Sequence, residues 1–330
     1  MSDRYSREAV DETVAYLASR AAVASIAADP YWPKWDSPWW RMMLLWELGL
    51  ARLIPLPAVE ALVAAIDTHY LRLFPVREDE LPPGCDPYRQ VLCHCAAGTV
   101  MQVLCACGVD LDVRLPWMRP WLRQYQLPDG GLNCDENAYV TSLKSSMVST
   151  LPPLEAALRC SRGRLSADDV RFLDRGAAYL IAHRLVRRAH GDRGVIDPAW
   201  LEPCFPRFYH YDSLRGLSFL AEWADTLGRA LPDEATSETA SQFRRERAEF
   251  GGIRVGRRAA ATAERTLVRS TEGQWVFADE AGTFALLDEV SLPGHVSPEL
   301  TALFDEAEGR VLRVQRRRAL QGREEVIDAG

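Results

Sequence analysis

A glycine-rich turn near the middle of the chain carries a thiol and a carboxylate side by side. The turn reads LPDGGLNCDEN, and it presents Cys134 and Asp135 shortly after Gly130 and Gly131. Zinc in proteins is bound by thiolate, imidazole and carboxylate groups that converge on one point. His210, in the segment FYHYDSLRGLS, supplies an imidazole. We therefore predict a metal site at Cys134, Asp135 and His210.

A second set of metal-binding residue types lies in LCHCAAG, residues 92–98, where His94 stands between Cys93 and Cys95. In a helix these two cysteines lie about 200° apart around the axis, so both cannot face one ligand. One of them is then expected to pack in the core, because a thiol is small and apolar. The same packing role is the alternative to metal binding for a wider set of cysteines, namely Cys95, Cys105, Cys107, Cys160 and Cys204.

The composition indicates a folded protein that binds neither nucleic acid nor the interior of a membrane. The chain has 330 residues, is 48% hydrophobic and carries a formal net charge of -7, with its arginines scattered among acids. Its first residues mix charges into every turn, unlike a signal peptide, and each long apolar run is interrupted before the roughly 18 residues of a membrane span. We expect a cytoplasmic protein whose 8 cysteines are thiols, either buried or bound to metal.

Helix signals dominate the first 230 residues and predict a mainly α fold. Four apolar segments predict buried inner helices that begin near residues 37, 88, 143 and 211, the first with Ser37 as N-cap and Pro38 at its first position. Amphipathic outer helices are predicted at 57–73, 115–125 and 166–189, the last opened by Ser166 and Asp169 as a capping box. The alternation predicts helical hairpins arranged as a ring, because each hairpin needs neighbours to bury its apolar face.

The chain changes character near residue 250. We predict a helical-hairpin domain over residues 1–250 and a C-terminal extension over 251–330 that is partly irregular or β. Within the extension, QWVFADEAGTFALLDEV indicates two short strands, and the final RVQRRRALQGREEVIDAG is expected to fray.

Two motifs give the chain a family resemblance. QLPDGGLNC followed by SSMVSTLPPLEAAL resembles the repeat of the squalene cyclase and protein prenyltransferase superfamily, and FPRFYHYDSLRGLSFLAEWA is similar to a second copy. The resemblance covers residues 30–230 and implies an α/α toroid whose central cavity is met by residues at the start of each inner helix. It implies substrate contacts at Trp39, Tyr88, Arg89, Lys144, Tyr209 and Arg215.

The same resemblance implies a zinc cofactor. His210 holds the position of the zinc histidine in protein prenyltransferase β subunits, and LCHCAAG resembles the Cys-His-Gly element of lanthionine cyclases, which are also zinc-bearing toroids. In the β subunits the zinc Asp and Cys lie two residues apart at an inner-helix start, whereas Cys134 and Asp135 are adjacent and lie in the turn. The catalytic candidates are Asp135, Asp212 and His210, with N-capping of its own helix as the alternative role of Asp212.

Three functions fit these features. The first is a terpenoid cyclase or prenyltransferase for an isoprenoid-type apolar substrate, to which the aromatic segment YWPKWDSPWWRMMLLW would offer a wall. The second is a lanthionine-cyclase-like enzyme that modifies a thiol or a peptide. The third is a non-catalytic toroid that binds a lipid or a peptide. No Asp-x-Asp-Asp motif stands at an inner-helix start, which disfavours squalene-type protonation, and fold alone does not decide among the three.

Overall fold

The computed structural model describes residues 4–32, 37–70, 72, 74, 83, 92–161, 163–258, 266–272, 274–278 and 282–328. Within these ranges the chain is mainly helical, which confirms the prediction of a mainly α fold. No helix in the described part of the chain combines the length and the apolar character needed to cross a bilayer.

The described part of the chain contains thirteen α-helices. They are α1 (Arg7–Ala18), α2 (Arg20–Ala28), α3 (Pro38–Glu47), α4 (Leu56–His69), α5 (His94–Ala106), α6 (Leu111–Arg114), α7 (Met118–Gln124), α8 (Met147–Arg159), α9 (Ala167–Ala182), α10 (Ser213–Leu227), α11 (Asp233–Phe250), α12 (Ala285–Val290) and α13 (Pro298–Asp328). Short 3-10 turns lie at Ala51–Leu53 and Pro198–Leu201, and a π-helical turn lies at Ala138–Ser142.

Two small antiparallel pairs make up the described strands. β1 (Ile253–Arg254) pairs with β4 (Val296–Ser297), and β2 (Thr266–Arg269) pairs with β3 (Trp275–Ala278). Only the first of the two strands predicted in QWVFADEAGTFALLDEV forms, as β3, because the second half of that segment folds as α12.

Local signals place the starts of two helices correctly. The Ser37 side chain accepts a hydrogen bond from the Trp39 backbone N–H, and Pro38 is the first residue of α3. Ser166 and Asp169 form the predicted capping box of α9. Each cap satisfies backbone donors that a helix end leaves without intrahelical partners, so these boundaries depend on a few neighbouring residues alone.

Two other predicted boundaries are wrong. The third inner helix starts at Met147 and not near residue 143, because Leu143 has a φ of 50° and cannot continue a right-handed helix. The outer helix predicted to reach residue 189 ends at Ala182, shortly before Arg184 and Leu185, whose φ angles are also positive.

The end of the chain forms a long helix where the sequence predicted a frayed terminus. Helix α13 runs to Asp328 and contacts α10. Its residues Leu300, Phe304, Ala307 and Val311 are all buried. Their spacing of three or four residues puts them on one face of the helix, so burial against α10 stabilises it.

Helices α5 and α8 pack with their backbones in close contact. A Cβ atom added to Gly98 of α5 would lie 2.3 Å from the Pro152 carbonyl carbon of α8, so only glycine fits at this crossing. Pro152 and Pro153 lie inside α8. The Gln102 side chain donates to the Pro152 carbonyl oxygen at 3.4 Å. This crossing fixes how the leading ends of the two helices lie relative to each other.

A buried ion pair joins α8 to α10. Arg215 Nη2 donates to Glu155 Oε2 at 2.6 Å, and the two side chains are 2% and 1% exposed. Arg159 adds a second positive charge 3.5 Å from the Glu155 carboxylate. Burial opposes ionisation, but the attraction of Arg215 and Arg159 outweighs it and lowers the pKa of Glu155 to about 2.

Candidate metal centre

Three cysteine sulfurs meet at the N-terminal end of α5. Cys93 Sγ lies 2.8 Å from Cys95 Sγ and 2.8 Å from Cys134 Sγ, and the sulfurs of Cys95 and Cys134 are 3.7 Å apart. All three thiols are free. Among the described residues, these three are the group whose potential metal-ligand atoms all lie within 4.8 Å of one another. We call this group the thiol cluster, and its geometry could hold a metal ion.

Cys93 and Cys95 share the cluster because Cys93 is not helical. It is the N-cap of α5, with φ -65° and ψ 135°, whereas Cys95 is the second residue of the helix. The separation of about 200° between alternate residues applies only within a regular helix. The prediction that one of these two cysteines must point away from a shared ligand is therefore wrong.

Cys134 reaches the cluster from the glycine turn that precedes α8. Asp129 accepts hydrogen bonds from the backbone N–H groups of Gly131 and Ser145, which ties the turn to the start of α8. Gly130 has a φ of 101°, a conformation that L side chains rarely adopt. The Cys134 N–H then donates to Ser149 Oγ in the first turn of α8 at 3.0 Å. These bonds hold the thiol against the start of α5.

His94 connects the two cysteine-bearing segments. Its Nδ1 lies 2.7 Å from the Asn133 carbonyl oxygen. Since a carbonyl oxygen can only accept, Nδ1 carries the proton. The ring is fully buried and is surrounded by aromatic rings with centroids 4.8 to 6.0 Å away, those of Phe74, Trp121, Tyr125 and Tyr139. Asn133 is also held by its N–H, which donates to the Tyr139 hydroxyl.

The protons of the cluster are shared unequally. Hydrogen bonds with Cys93 and Cys95 favour a thiolate at Cys134 and hold its pKa well below the ordinary value, with His94 adding to the effect. The hydrogen bond with Cys134 is also the largest cause that raises the pKa of Cys93 and of Cys95. Without a metal, the surroundings therefore favour ionisation of Cys134 over ionisation of Cys93 or Cys95.

The sulfur–sulfur distances of the cluster are close to those that zinc requires, with Cys93 as the exception. With Zn–S bonds of about 2.3 Å, a tetrahedral site separates its sulfurs by about 3.8 Å. The distance between Cys95 and Cys134 already matches that value, and Cys93 must move by about 1 Å to match it as well. Cys93 is the N-cap of α5, and rotation of its side chain can move the sulfur while its carbonyl oxygen keeps the hydrogen bond from the Ala97 N–H.

Aromatic side chains lie beside the cluster. The pKa of the Tyr31 phenol is raised by burial and by the nearby charges of Tyr209, Cys93 and Cys95, and Tyr31 is hydrogen-bonded with Tyr209. Trp40 of α3 packs against both tyrosines, with ring centroids 5.8 Å from each. The leading ends of α3, α5, α8 and α10 therefore contribute residues to one neighbourhood.

Buried charges hold the segment that carries Tyr209. The Glu47 carboxylate accepts from the backbone N–H groups of Arg207 and Phe208 at 2.8 and 2.5 Å. Arg215 Nη1 donates to the carbonyl oxygens of Phe208 and His210 at 3.0 and 2.8 Å. The segment before α10 is therefore fixed from both sides by ionic groups of the core.

Of the three residues predicted to bind the metal, the structure brings Cys134 into the thiol cluster. Asp135 is exposed and accepts hydrogen bonds from the backbone and side-chain nitrogens of Asn137. His210 stacks on Tyr209 with ring centroids 4.8 Å apart. Within the described residues, neither Asp135 nor His210 belongs to the group of convergent ligand atoms.

The remaining candidate residues have identifiable surroundings. Asp212 is fully buried and caps α10 by accepting from the Arg215 N–H, as the capping alternative predicted, and it also accepts from the Cys204 N–H. Trp39 is buried in the core, and the Lys144 side chain is exposed. Tyr88 and Arg89 lie outside the described residues.

Sequence reasoning missed that Cys93 and Cys95 act together. The signal was present in their spacing, since a Cys-x-Cys pair that straddles a helix start can place both sulfurs on one side. Recognising it required the helix to begin at His94, six residues after the predicted start.

Comparison with known proteins adds no further constraint. No family model, no curated protein and no solved structure matches this chain.

Proposed function

We propose that this chain is a zinc enzyme that activates a thiol for alkylation, with the metal held by Cys93, Cys95 and Cys134. The observation that carries the proposal is the all-sulfur donor set, whose sulfurs lie within 3.7 Å of one another. Thiolates favour Zn²⁺ over the harder ions Mg²⁺ and Ca²⁺. Three protein ligands leave one tetrahedral position for a substrate group, as in catalytic zinc sites.

The donor set favours a thiol over water as the substrate group. Three thiolates outweigh the charge of Zn²⁺ and make it a weak Lewis acid toward water. Zinc held by Cys93, Cys95 and Cys134 would lower the pKa of a thiol bound at the fourth position, so that the thiol would release its proton to solvent and, as a thiolate, displace the leaving group of an electrophile. This chemistry agrees with the thiol-modifying function, and also with prenyl transfer if the electrophile is an isoprenoid.

The protein's own residues would orient the reactants and exclude water. Tyr31, Tyr209 and Trp40 offer an apolar wall next to the cluster and one hydrogen-bonded pair of phenols. Aromatic faces suit an isoprenoid-type chain, since they bury a large apolar area and stabilise positive charge. Glu47 and Arg215 would keep that wall in place through the backbone of residues 207–210.

We also propose the finer fold, an α/α toroid of the squalene cyclase and protein prenyltransferase type. Support comes from the contacts among the leading ends of α3, α5, α8 and α10, which correspond to the four apolar helices of the sequence. Close contact of α5 with α8 and of Trp40 with Tyr209 is what neighbouring inner helices of a ring require. An experimental structure with one helix layer inside another tests this proposal, and a flat stack of hairpins would contradict it.

Metal content is the first test. Protein purified without added metal should contain one zinc per chain, and Cys95→Ser and Cys134→Ser should each lose most of it. Cys204→Ser is the matched control, because Cys204 is a buried thiol whose sulfur donates to the Pro206 carbonyl oxygen. Equal zinc in all four proteins, or zinc in none of them, would reject the metal centre.

Whether the fourth coordination position of the metal accepts a thiol is tested with Co²⁺ and two matched probes. In the Co²⁺-substituted full chain, 1-hexanethiol should strengthen the sulfur-to-cobalt charge-transfer band, whereas 1-hexanol should not. Cys85 lies outside the described residues, so Cys85→Ser must be measured as well. If that variant loses a sulfur ligand, the protein itself fills the fourth position and the centre is structural.

Activity then separates an enzyme from a binding protein. The zinc-loaded chain is incubated with 1-hexanethiol and a labelled allylic diphosphate, and thioether formation is measured. Product that depends on Cys134 supports thiol alkylation. Thiol binding without product, across allylic diphosphates of several chain lengths, would favour the peptide-modifying or the non-catalytic alternative.

A further inference from the structure

The three thiols of the cluster differ in their access to solvent. Cys93 and Cys134 are each partly exposed, whereas Cys95 is buried with 7% of its surface exposed. The sulfurs of these two partly exposed residues are 2.8 Å apart. The sulfur of the buried Cys95 lies 2.8 Å from Cys93 Sγ and 3.7 Å from Cys134 Sγ. An oxidant from solution therefore meets first Cys93 and Cys134, the two partly exposed residues of the cluster.

We propose that Cys93 and Cys134 are a peroxide-sensitive pair whose reversible disulfide dismantles the thiol cluster. The disulfide removes two of three thiolates, and a single remaining cysteine cannot hold the metal. The part of this inference that concerns metal release rests on the proposed function. The part that concerns disulfide formation rests on the thiols alone.

The reaction is a two-electron oxidation of the pair by a hydroperoxide. One sulfur attacks the peroxide as a thiolate, the O–O bond breaks, and a sulfenic acid and water are formed. The second sulfur attacks the sulfenic sulfur, forms the S–S bond and expels the oxygen as a second water. In sum, two thiols and one hydrogen peroxide give one disulfide and two waters.

The backbone around the pair permits this bond. The hydrogen bond from His94 to the Asn133 carbonyl oxygen holds the residues next to Cys93 and Cys134 side by side. Cys93 is the N-cap of α5, and rotation about its Cα–Cβ bond moves the sulfur without disturbing the hydrogen bond from the Ala97 N–H to the Cys93 carbonyl oxygen. Cys95 lies within the first turn and its sulfur is buried, so it is left as the third, unreacted thiol.

The test exposes the full chain, both zinc-loaded and metal-free, to hydrogen peroxide. Thiols are counted after denaturation, the linked peptides are identified by mass spectrometry, and released zinc is measured with a chromogenic chelator. We expect the loss of two thiols per chain, a linked pair of peptides that contain Cys93 and Cys134, and recovery with a dithiol reductant. In the zinc-loaded protein, zinc should appear in step with the disulfide.

Variants separate this pair from its competitors. Cys95→Ser should still form the disulfide, Cys93→Ser should not, and Cys160→Ser, which changes a buried thiol outside the cluster, should behave as the unmodified chain. A bond between Cys93 and Cys95, or oxidation of Cys134 beyond the sulfenic acid without any disulfide, would overturn the proposal. If the disulfide forms in a chain that binds no zinc, the proposed function is rejected and the oxidation stands. If the chain binds zinc but forms no disulfide, only the oxidation is rejected.

Discussion

His94 Nδ1 donates a hydrogen bond of 2.7 Å to the Asn133 carbonyl oxygen and thereby joins the segment that carries Cys93 and Cys95 to the turn that carries Cys134. The two ends of this bond are 39 residues apart in sequence. The ring also favours the thiolate form of Cys134, but its nitrogens are not part of the convergent group of ligand atoms among the described residues. His94 is therefore a positioning residue for the three sulfurs.

Loss of that bond should weaken metal binding. We expect His94→Phe to lower zinc affinity by about 10- to 100-fold, the usual effect of removing a group that orients metal ligands. Competition with a chelator of known affinity measures the change, and the Co²⁺ spectrum should change in the same variant. His183→Phe is the control, because His183 Nδ1 is likewise bonded to a carbonyl oxygen, that of Arg187, in a different part of the molecule. Equal affinity losses in both variants would indicate a general loss of folding rather than positioning.

The identity of the ligands can be decided by removing one candidate at a time. If the thiol cluster holds the metal, Cys134→Ala should lose zinc, whereas Asp135→Asn and His210→Ala should keep about one zinc per chain. The reason is that Asp135 is exposed and bonded to Asn137, and both residues lie outside the convergent group. Elemental analysis of the three purified variants provides the measurement. Zinc loss in the Asp135 and His210 variants would restore the ligand set predicted from sequence.

Acid should destabilise the protein through Glu155. Its pKa is lowered from 4.5 to about 2 because Arg215 and Arg159 outweigh the effect of burial. A lowered pKa in the folded state gives stability that is present above pH 4.5 and is lost as the pH falls toward about 2. The shift corresponds to about 3 kcal/mol of unfolding free energy at neutral pH. Urea unfolding between pH 7 and pH 3 measures this dependence.

Removal of the Glu155 carboxylate tests whether this residue causes the acid sensitivity. We expect Glu155→Gln to flatten the acid limb of that profile and to destabilise the protein at pH 7 by about 3 kcal/mol or more, since it leaves Arg215 buried without its partner. Glu60→Gln is the control, because Glu60 pairs with Arg114 at an exposed site. An unchanged acid limb in Glu155→Gln would show that other carboxylates cause the acid sensitivity.

The crossing of α5 and α8 should tolerate no side chain at Gly98. We expect Gly98→Ala to lower the free energy of unfolding by about 3 kcal/mol, because the new Cβ would overlap the backbone of Pro152. Gly309→Ala is the matched control within α13, where the nearest atom is 3.7 Å from an added Cβ. That change should stabilise the chain by about 0.5 to 1 kcal/mol through helix propensity. Chemical unfolding of both variants compares the two effects directly.

Part of this arrangement follows from the sequence because it depends on neighbours along the chain. Ser37 with Pro38 and Ser166 with Asp169 satisfy backbone donors within three residues of themselves, so both helix starts were predicted correctly. The mainly α class follows from the period of the apolar residues. The start of α13 was not predicted, because its buried face has meaning only once α10 is beside it.

In the thiol cluster, too, the sequence determined one part and the tertiary structure another. Sequence alone identified Cys134 as a metal-ligand candidate from its place after a glycine turn, and it identified LCHCAAG as a second source of thiols. Which sulfurs converge was decided by the tertiary structure, through the close crossing at Gly98 and the bond from His94 to Asn133. Those contacts join residues 39 or more positions apart, and a local pattern cannot encode the distance between segments that only packing brings together.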